Sequence, residues 1–319
     1  NGVLLVGPDE SHFLTDGRYR EQAQQEVEGS TIHVVKGGLL SYLGDQDLLS
    51  TYDQVAFQAD DLTVAKRDVL AEEVASVQWV PETQVLTHQR GVKESAEVEA
   101  IRSAQRLTEA VFAHLLDWIE PGQTEREVAA EIVHQHLKRG ASSMSFDPIV
   151  ASGPNAAYPH ARPTDRTLRE GEVVVIDMGG FQSGYASDMT RTIALGTPPD
   201  AVREGYDLVL AAQERALEVA EAGMTGEALD QAARSVIEEA GYGDAFAHGL
   251  GHGIGLEVHE WPRVSYTNED VLPAGACVTI EPGIYRPEAD YGIRIEDIIV
   301  LREGGCDNLT SATKAWTEL

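Results

Sequence analysis

Short apolar runs separated by helical stretches fill the first 88 or so residues. Residues 3–7, 12–15, 32–35, 54–58 and 77–80 read as strands. Residues near 18–28 and 64–75 read as helices between them. Strand–helix alternation predicts a small α/β domain. Asn1 runs straight into Val3-Leu4-Leu5-Val6, which reads as a start inside an element rather than before one.

After Gly91 the period changes. Val98, Ile101, Ala104, Thr108, Val111, Leu115 and Ile119 recur at spacings of three and four, and Pro121-Gly122 stops the run. Thr124 opens the next helix, with Glu127 three residues on as a capping box, and Gly140 ends it. A domain boundary near residue 90 follows, giving domains 1–90 and 91–319.

The second domain repeats itself. Gly122-Gln123-Thr124 opens a helix that closes at Gly140, and Gly223-Met224-Thr225 opens another that closes at Gly241, each 18 residues from first glycine to last. The strand-like stretch from Leu168 to Asp177 aligns without gaps on that from Leu272 to Glu281. The offsets are 101 (122 to 223) and 104 (168 to 272). Two related halves, each with helices followed by strands, are therefore expected about a pseudo-two-fold axis.

Composition narrows the function. Hydrophobic residues make up 42% of the 319 positions, enough for a sizeable core. The 53 Asp and Glu against 24 Lys and Arg give a formal charge of -29. Such a surface repels phosphate backbones and anionic lipid, so nucleic-acid and membrane-surface roles are not expected. With Cys277 and Cys306 alone there is no disulfide framework, and no apolar run approaches the ~18 residues of a membrane span. A cytoplasmic protein is the expectation.

Certain acids stand apart from this solvating majority. Asp177 and Glu281 occupy the same place in the repeat, each ending an apolar, strand-like run. Asp188 follows the first by 11 residues and Glu296 the second by 15. Asp177 and Asp188 flank a Gly-rich turn and so are expected to face each other across a hairpin. Alternation in Gly292-Ile293-Arg294-Ile295-Glu296 puts Arg294 and Glu296 on one face. Four acids gathered in one domain repel unless cations sit among them. The stretch from His248 to Glu260 adds His248, His252 and His259 among four glycines. Imidazoles there serve as metal ligands or proton carriers near neutral pH. His160, in Tyr158-Pro159-His160-Ala161-Arg162, is a further candidate. Carboxylates with one imidazole suit hard to borderline divalent ions, and a pair of them about 3.5–4 Å apart activates water.

These motifs resemble the pita-bread metallopeptidase family, which includes methionine aminopeptidase, aminopeptidase P and prolidase. The resemblance rests on Val175-Ile176-Asp177, Ser187-Asp188-Met189-Thr190-Arg191, the His-Gly stretch, Ile280-Glu281-Pro282-Gly283, and Arg294-Ile295-Glu296-Asp297. It covers residues 92 to the end. Thr15-Asp16-Gly17-Arg18-Tyr19 is similar to the creatinase-like N-terminal domain of the proline-specific branch, and Arg294-Ile295-Glu296 points to the same branch.

The resemblance implies an α/β (α+β) chain with a small creatinase-like N-terminal domain before a pita-bread catalytic domain. It also implies two divalent metal ions, Mn foremost with Co or Zn as alternatives. Asp188 and Glu296 would bridge them, Asp177 would hold one, and His252 and Glu281 the other. Glu281 would also act as the base. His160 and His259 would face the substrate, and His248 would lie at the proline pocket. Arg294 is a candidate for meeting a proline carboxylate. The activity implied is hydrolysis of the Xaa–Pro bond. A dipeptidase is favoured over an aminopeptidase acting on longer peptides, and a non-catalytic binding module is the remote alternative. A homodimer acting on Xaa-Pro dipeptides or short proline-containing peptides completes the expectation.

Overall fold

The computed structural model describes residues 1–46 and 48–319 and divides into two compact units, Asn1–Leu86 and Thr87–Leu319. In the first unit, strand Ser11–Asp16 runs antiparallel to Gly2–Val6 and parallel to Thr31–Val35. A second, parallel pair joins Gln54–Gln58 to Gln78–Glu82. Leu14, Val35, Leu43, Leu49, Leu70, Val74 and Val77 form the core. The last strand sits later than residues 77–80 and includes Pro81. A proline is tolerated there because the strand lies at a sheet edge, where its missing N–H is not needed.

Helices Arg20–Glu26 and Val64–Glu73 lie in the expected stretches, and Leu39–Asp45 is an additional one. Its seven residues follow Gly37-Gly38 and contain Gly44, so the sequence reads as loop there. Gly44 has a packing reason: a Cβ at that position would stand 2.5 Å from the carbonyl oxygen of Glu73. The two helices approach that closely only with glycine.

The second unit carries the repeat. Helix Ser95–Trp118 buries Val98, Ile101, Ala104, Thr108, Val111 and Leu115 along one stripe. Its capping box is made by Glu94 and Glu97. Helix Glu125–Lys138 is capped by Thr124 with Glu127, and its counterpart Gly226–Glu239 by Thr225. Helix Asp200–Val219 precedes the second of these as Ser95–Trp118 precedes the first.

The two halves share their backbone hydrogen bonds pair for pair. Gly122 N donates to Leu168 O at 2.9 Å and Leu168 N to Gln123 O at 2.8 Å. One offset along, Gly223 N donates to Leu272 O at 2.9 Å and Leu272 N to Met224 O at 2.8 Å. Glu125 N to Arg166 O and Gly226 N to Asp270 O are likewise equivalent, each at 3.1 Å. The turn glycines match in conformation too, with φ of 98° at Gly122 and 94° at Gly223.

Each half hangs its helices on an antiparallel sheet. In the first half, strand Glu172–Met178 lies between Met189–Leu195 and Ile149–Ser152. In the second, Cys277–Ile280 lies between Asp297–Arg302 and the short strand Gly251–Gly253. Val174, Ile176 and Met178 pack under the first pair of helices, and Val278 and Ile280 under the second. Fully burying each such side chain stabilises by about 1.5–3 kcal/mol. The two-residue period of a strand then turns Asp177, Thr279 and Glu281 to the opposite face. Among the described residues, no helix is long and apolar enough to cross a membrane.

Candidate metal centre and active site

Asp177 stands near the end of its strand, opposite Thr190 in the neighbouring one. Asp188 lies one step before that neighbour begins, beyond the last paired position, Met189. The expected hairpin is therefore present, with Thr190 rather than Asp188 directly across from Asp177. His252 is the middle residue of Gly251–Gly253, Glu281 follows Cys277–Ile280, and Glu296 fills the break between Tyr291–Arg294 and Asp297–Arg302.

These residues meet. Ligand atoms of Asp188, His252 and Glu296 lie within 4.8 Å of one another. His252 Nε2 is 3.3 Å from Glu281 Oε1 and 3.6 Å from Asp188 Oδ2. Asp177 reaches the group through Arg294, whose Nη2 donates to Asp177 Oδ2 at 2.7 Å.

The neighbours fix the orientation of each group. His252 Nδ1 is 3.1 Å from the carbonyl of Gly253, which can only accept. The proton therefore sits on Nδ1, and the Nε2 lone pair faces two carboxylates. Thr279 accepts from the backbone N–H of His252 at 3.0 Å and donates to Glu281 Oε1 at 3.1 Å. Thr190 accepts from Arg294 Nε at 3.0 Å and donates to Glu296 Oε2 at 2.9 Å. Both threonines were missed as site residues. The available signal was position: each shares a strand face with a ligand candidate or lies across from one.

Burial sets the charges. It pushes the carboxyls of Asp188 and Glu296 well above the ordinary range, helped by neighbouring acids, Glu296 beside Asp188 and Glu281 beside Glu296. It pushes Glu281 up to about 7. It lowers His252 and His259, whose rings meet edge to face at 4.3 Å. Asp177 Oδ1 and Glu296 Oε1 are buried without a hydrogen-bond partner. A lone pair facing carboxylates, orphaned carboxylate oxygens and mutually repelling acids are what a cation relieves. Oxygen donors with one imidazole suit divalent ions.

The remaining candidates line a second chain of contacts. His248 Nδ1 lies 2.8 Å from Gly249 O, so Nε2 accepts from Tyr285 Oη at 2.9 Å. Tyr285 Oη in turn accepts from Arg294 Nη1 at 2.8 Å. Burial brings His248 down to about 4, so it is neutral. Arg294 also donates to Pro159 O at 3.1 Å, leaving one Nη2 hydrogen uncommitted. His160 is exposed and lies near enough to His248 and His259 to act on both electrostatically.

Residues 99–303 match metallopeptidase family M24, and residues 1–92 match the creatinase/prolidase N-terminal domain. The chain belongs to metallopeptidase family M24. It is a hydrolase with a creatinase-type N-terminal domain and a pita-bread catalytic domain, and membership implies divalent metal ions. The M24 chain is 36% identical to the uncharacterized peptidase YqhT of Bacillus subtilis over 313 residues, covering 98% of this chain and 88% of that one. It is 44% identical to the Xaa-Pro dipeptidase of Pyrococcus furiosus over 230 residues, 72% of this chain and 66% of that one. The structure of an Xaa-Pro dipeptidase from Bacillus anthracis is similar with a TM-score of 0.97 at 37% identity, covering all of this chain and 89% of that one. An X-Pro aminopeptidase from Thermotoga maritima is similar at 0.94 and 37%, covering all of this chain and 90% of that one.

Proposed function

We propose that this M24 enzyme hydrolyses the Xaa–Pro bond and that its preferred substrate is the Xaa-Pro dipeptide. The observation that carries the reading is the convergence of a free imidazole lone pair with buried, partly unpartnered carboxylates. The relatives named as Xaa-Pro dipeptidases support the choice of bond. Asp177, Asp188, His252, Glu281 and Glu296 are the residues that would hold divalent ions, which when bound would supply Lewis-acid polarisation of a carbonyl and a more acidic water. Manganese is the ion we favour, with cobalt and zinc as alternatives.

Glu281, held by the Thr279 hydroxyl at 3.1 Å and 3.3 Å from His252 Nε2, takes the water's proton. His259 and His160 stand on the substrate side and donate to the developing oxyanion or the leaving nitrogen. Arg294 holds Asp177 in place, and its uncommitted Nη2 hydrogen is available to the substrate carboxylate. His248, neutral and fixed by Tyr285, forms part of the wall that receives the proline ring. Proline lacks the N–H that other peptides offer, so shape must substitute for a hydrogen bond there. Free thiols at Cys277 and Cys306 accord with a cytoplasmic enzyme. We further propose a homodimer.

A second reading is an aminopeptidase acting on longer peptides, favoured by the similarity to the Thermotoga maritima structure. The deciding experiment strips the protein with a chelator and restores Mn, Co or Zn separately. Proline release from Xaa-Pro dipeptides is then compared with cleavage of Xaa-Pro-Yaa tripeptides. Metal-dependent cleavage of dipeptides alone supports the dipeptidase, and efficient tripeptide cleavage supports the aminopeptidase. Cleavage of neither rules out both.

A further inference from the structure

One buried carboxylate in the first half of the catalytic unit takes no part in the metal centre. Glu125 opens helix Glu125–Lys138 and is fully buried. Five neutral donors converge on it. Oε1 accepts from the backbone N–H of Ser152 at 2.7 Å and from its hydroxyl at 2.8 Å. Oε2 accepts from Asn155 Nδ2 at 2.9 Å, from Thr164 N–H at 3.0 Å and from the Thr164 hydroxyl at 2.6 Å. A buried acid held by so many bonds fixes whatever supplies the donors.

Four of those donors come from the two ends of one loop, Ser152 and Thr164, and the fifth, Asn155, from the turn inside it. Between Ser152 and Thr164 run the turn Gly153–Ala157 and the exposed Tyr158, His160 and Arg162. The loop also touches the support of the metal centre, because Pro159 O accepts from Arg294 Nη1. On its other side, Ala156 O lies 2.0 Å from where a Cβ at Gly292 would stand, so only glycine lets strand and turn meet.

The second half lacks this arrangement. The position equivalent to Glu125 is Gly226, which makes the same backbone hydrogen bond with no side chain to add. A Cβ there would stand 2.6 Å from Arg263 O. The shared scaffold thus does not require the acid. The loop carrying His160 is what the first half has in its place.

We propose that Glu125 is a positioning residue that staples both ends of loop 152–164 and so sets where His160 stands over the substrate. The proposal rests on the reading of His160 as a substrate-facing residue. In Glu125→Gln the amide nitrogen cannot accept, so one end of the loop is released. A group displaced by about 1 Å can cost on the order of 10²-fold in rate, so kcat/KM should fall about 10- to 100-fold.

The test uses the full-length, manganese-restored enzyme and compares Glu125→Gln, His160→Ala and the double variant. Three results are expected. Backbone amides of residues 153–163 exchange faster in Glu125→Gln, its manganese affinity is unchanged, and the double variant is no slower than His160→Ala. Thr164→Val removes a single hydroxyl at the exposed end and should show the same pattern more weakly, which keeps the test open if Glu125→Gln does not fold. Unchanged loop exchange in a folded variant overturns the staple. Losses that add independently of His160 overturn the link to the substrate. If the wild-type enzyme cleaves no Xaa–Pro bond, the proposed reaction fails, and the exchange measurement still decides the staple.

Discussion

The two halves of the catalytic unit are alike in backbone and unlike in donors. Both make the same helix-to-strand hydrogen bonds, and both carry an acid where the central strand runs out, Asp177 one residue before its end and Glu281 one residue after. The first half adds Asp188, and the second adds His252 and Glu296. The second acids are not equivalent: the pairings of Ile176 with Arg191 and of Ile280 with Asp297 match Thr190, not Asp188, to Glu296. These matched residues meet. Thr190 donates to Glu296 at 2.9 Å, and Arg191 Nη2 to Asp297 at 2.9 Å, with both members of the ion pair buried. A symmetric scaffold has been made complementary at its centre, with a donor on one side facing an acceptor on the other. Duplication therefore supplies the frame, and divergence at equivalent positions supplies the chemistry.

The sharpest way to break the comparison is to remove an acid at the centre. Glu296→Ala should lower kcat/KM by about 10³-fold or more, since metal-assisted stabilisation is worth several kcal/mol. Calorimetric titration with manganese should show the matching loss of binding. Truncating the supporting threonines tests support across the halves, from Thr190 to Glu296, against support within one, from Thr279 to Glu281. Thr190→Val and Thr279→Val should each weaken metal affinity by about 10- to 100-fold, as outer-shell partners do. Wild-type affinity in both would mean the ligands need no such support.

A pH experiment separates groups within the second half. In the metal-stripped protein the Glu281 carboxyl is raised from 4.5 to about 7. Its protonated form is thus favoured by folding. That contribution is fully present below about 4.5 and is lost as pH rises through about 7. Glu281→Gln should flatten this decline in the urea midpoint, and manganese binding should release protons over the same window. His248 acts oppositely. Lowered from 6.5 to about 4, it favours the neutral form, so stability rises with pH between those values. His248→Phe should remove that rise.

The smallest effect concerns the two equivalent helix caps. Thr124 has a reciprocal partner in Glu127, whereas Thr225 caps Ala228 without one. Each Thr→Ala change should cost about 1 kcal/mol in urea unfolding, with Thr124 the larger. Equal losses would mean that the box adds nothing measurable.

Much of this was legible in the chain itself, because it is local. Periodicity marked the long helix, Thr124 and Thr225 marked two helix starts, and gap-free alignment exposed the repeat. An acid ending an apolar strand at the same place in both copies drew attention to Asp177 and Glu281. Helix Leu39–Asp45 was not legible, since the glycine inside it, Gly44, serves packing against another helix rather than a turn.

The rest depends on residues far apart in sequence. Arg294 and Asp177 are paired across 117 positions, which no spacing rule anticipates. Glu125 reads in the sequence as an ordinary acid in a first helical turn, favoured there by the helix dipole. Only the fold shows that it is buried and that a loop closes on it. The sequence by itself determined the elements, the repeat and the donor types, because these follow from local propensity and spacing. The tertiary structure alone decided which donors share a centre, which hydrogens they carry and which residues hold them in place. Those properties depend on distance and burial, and both exist only once the chain has closed on itself.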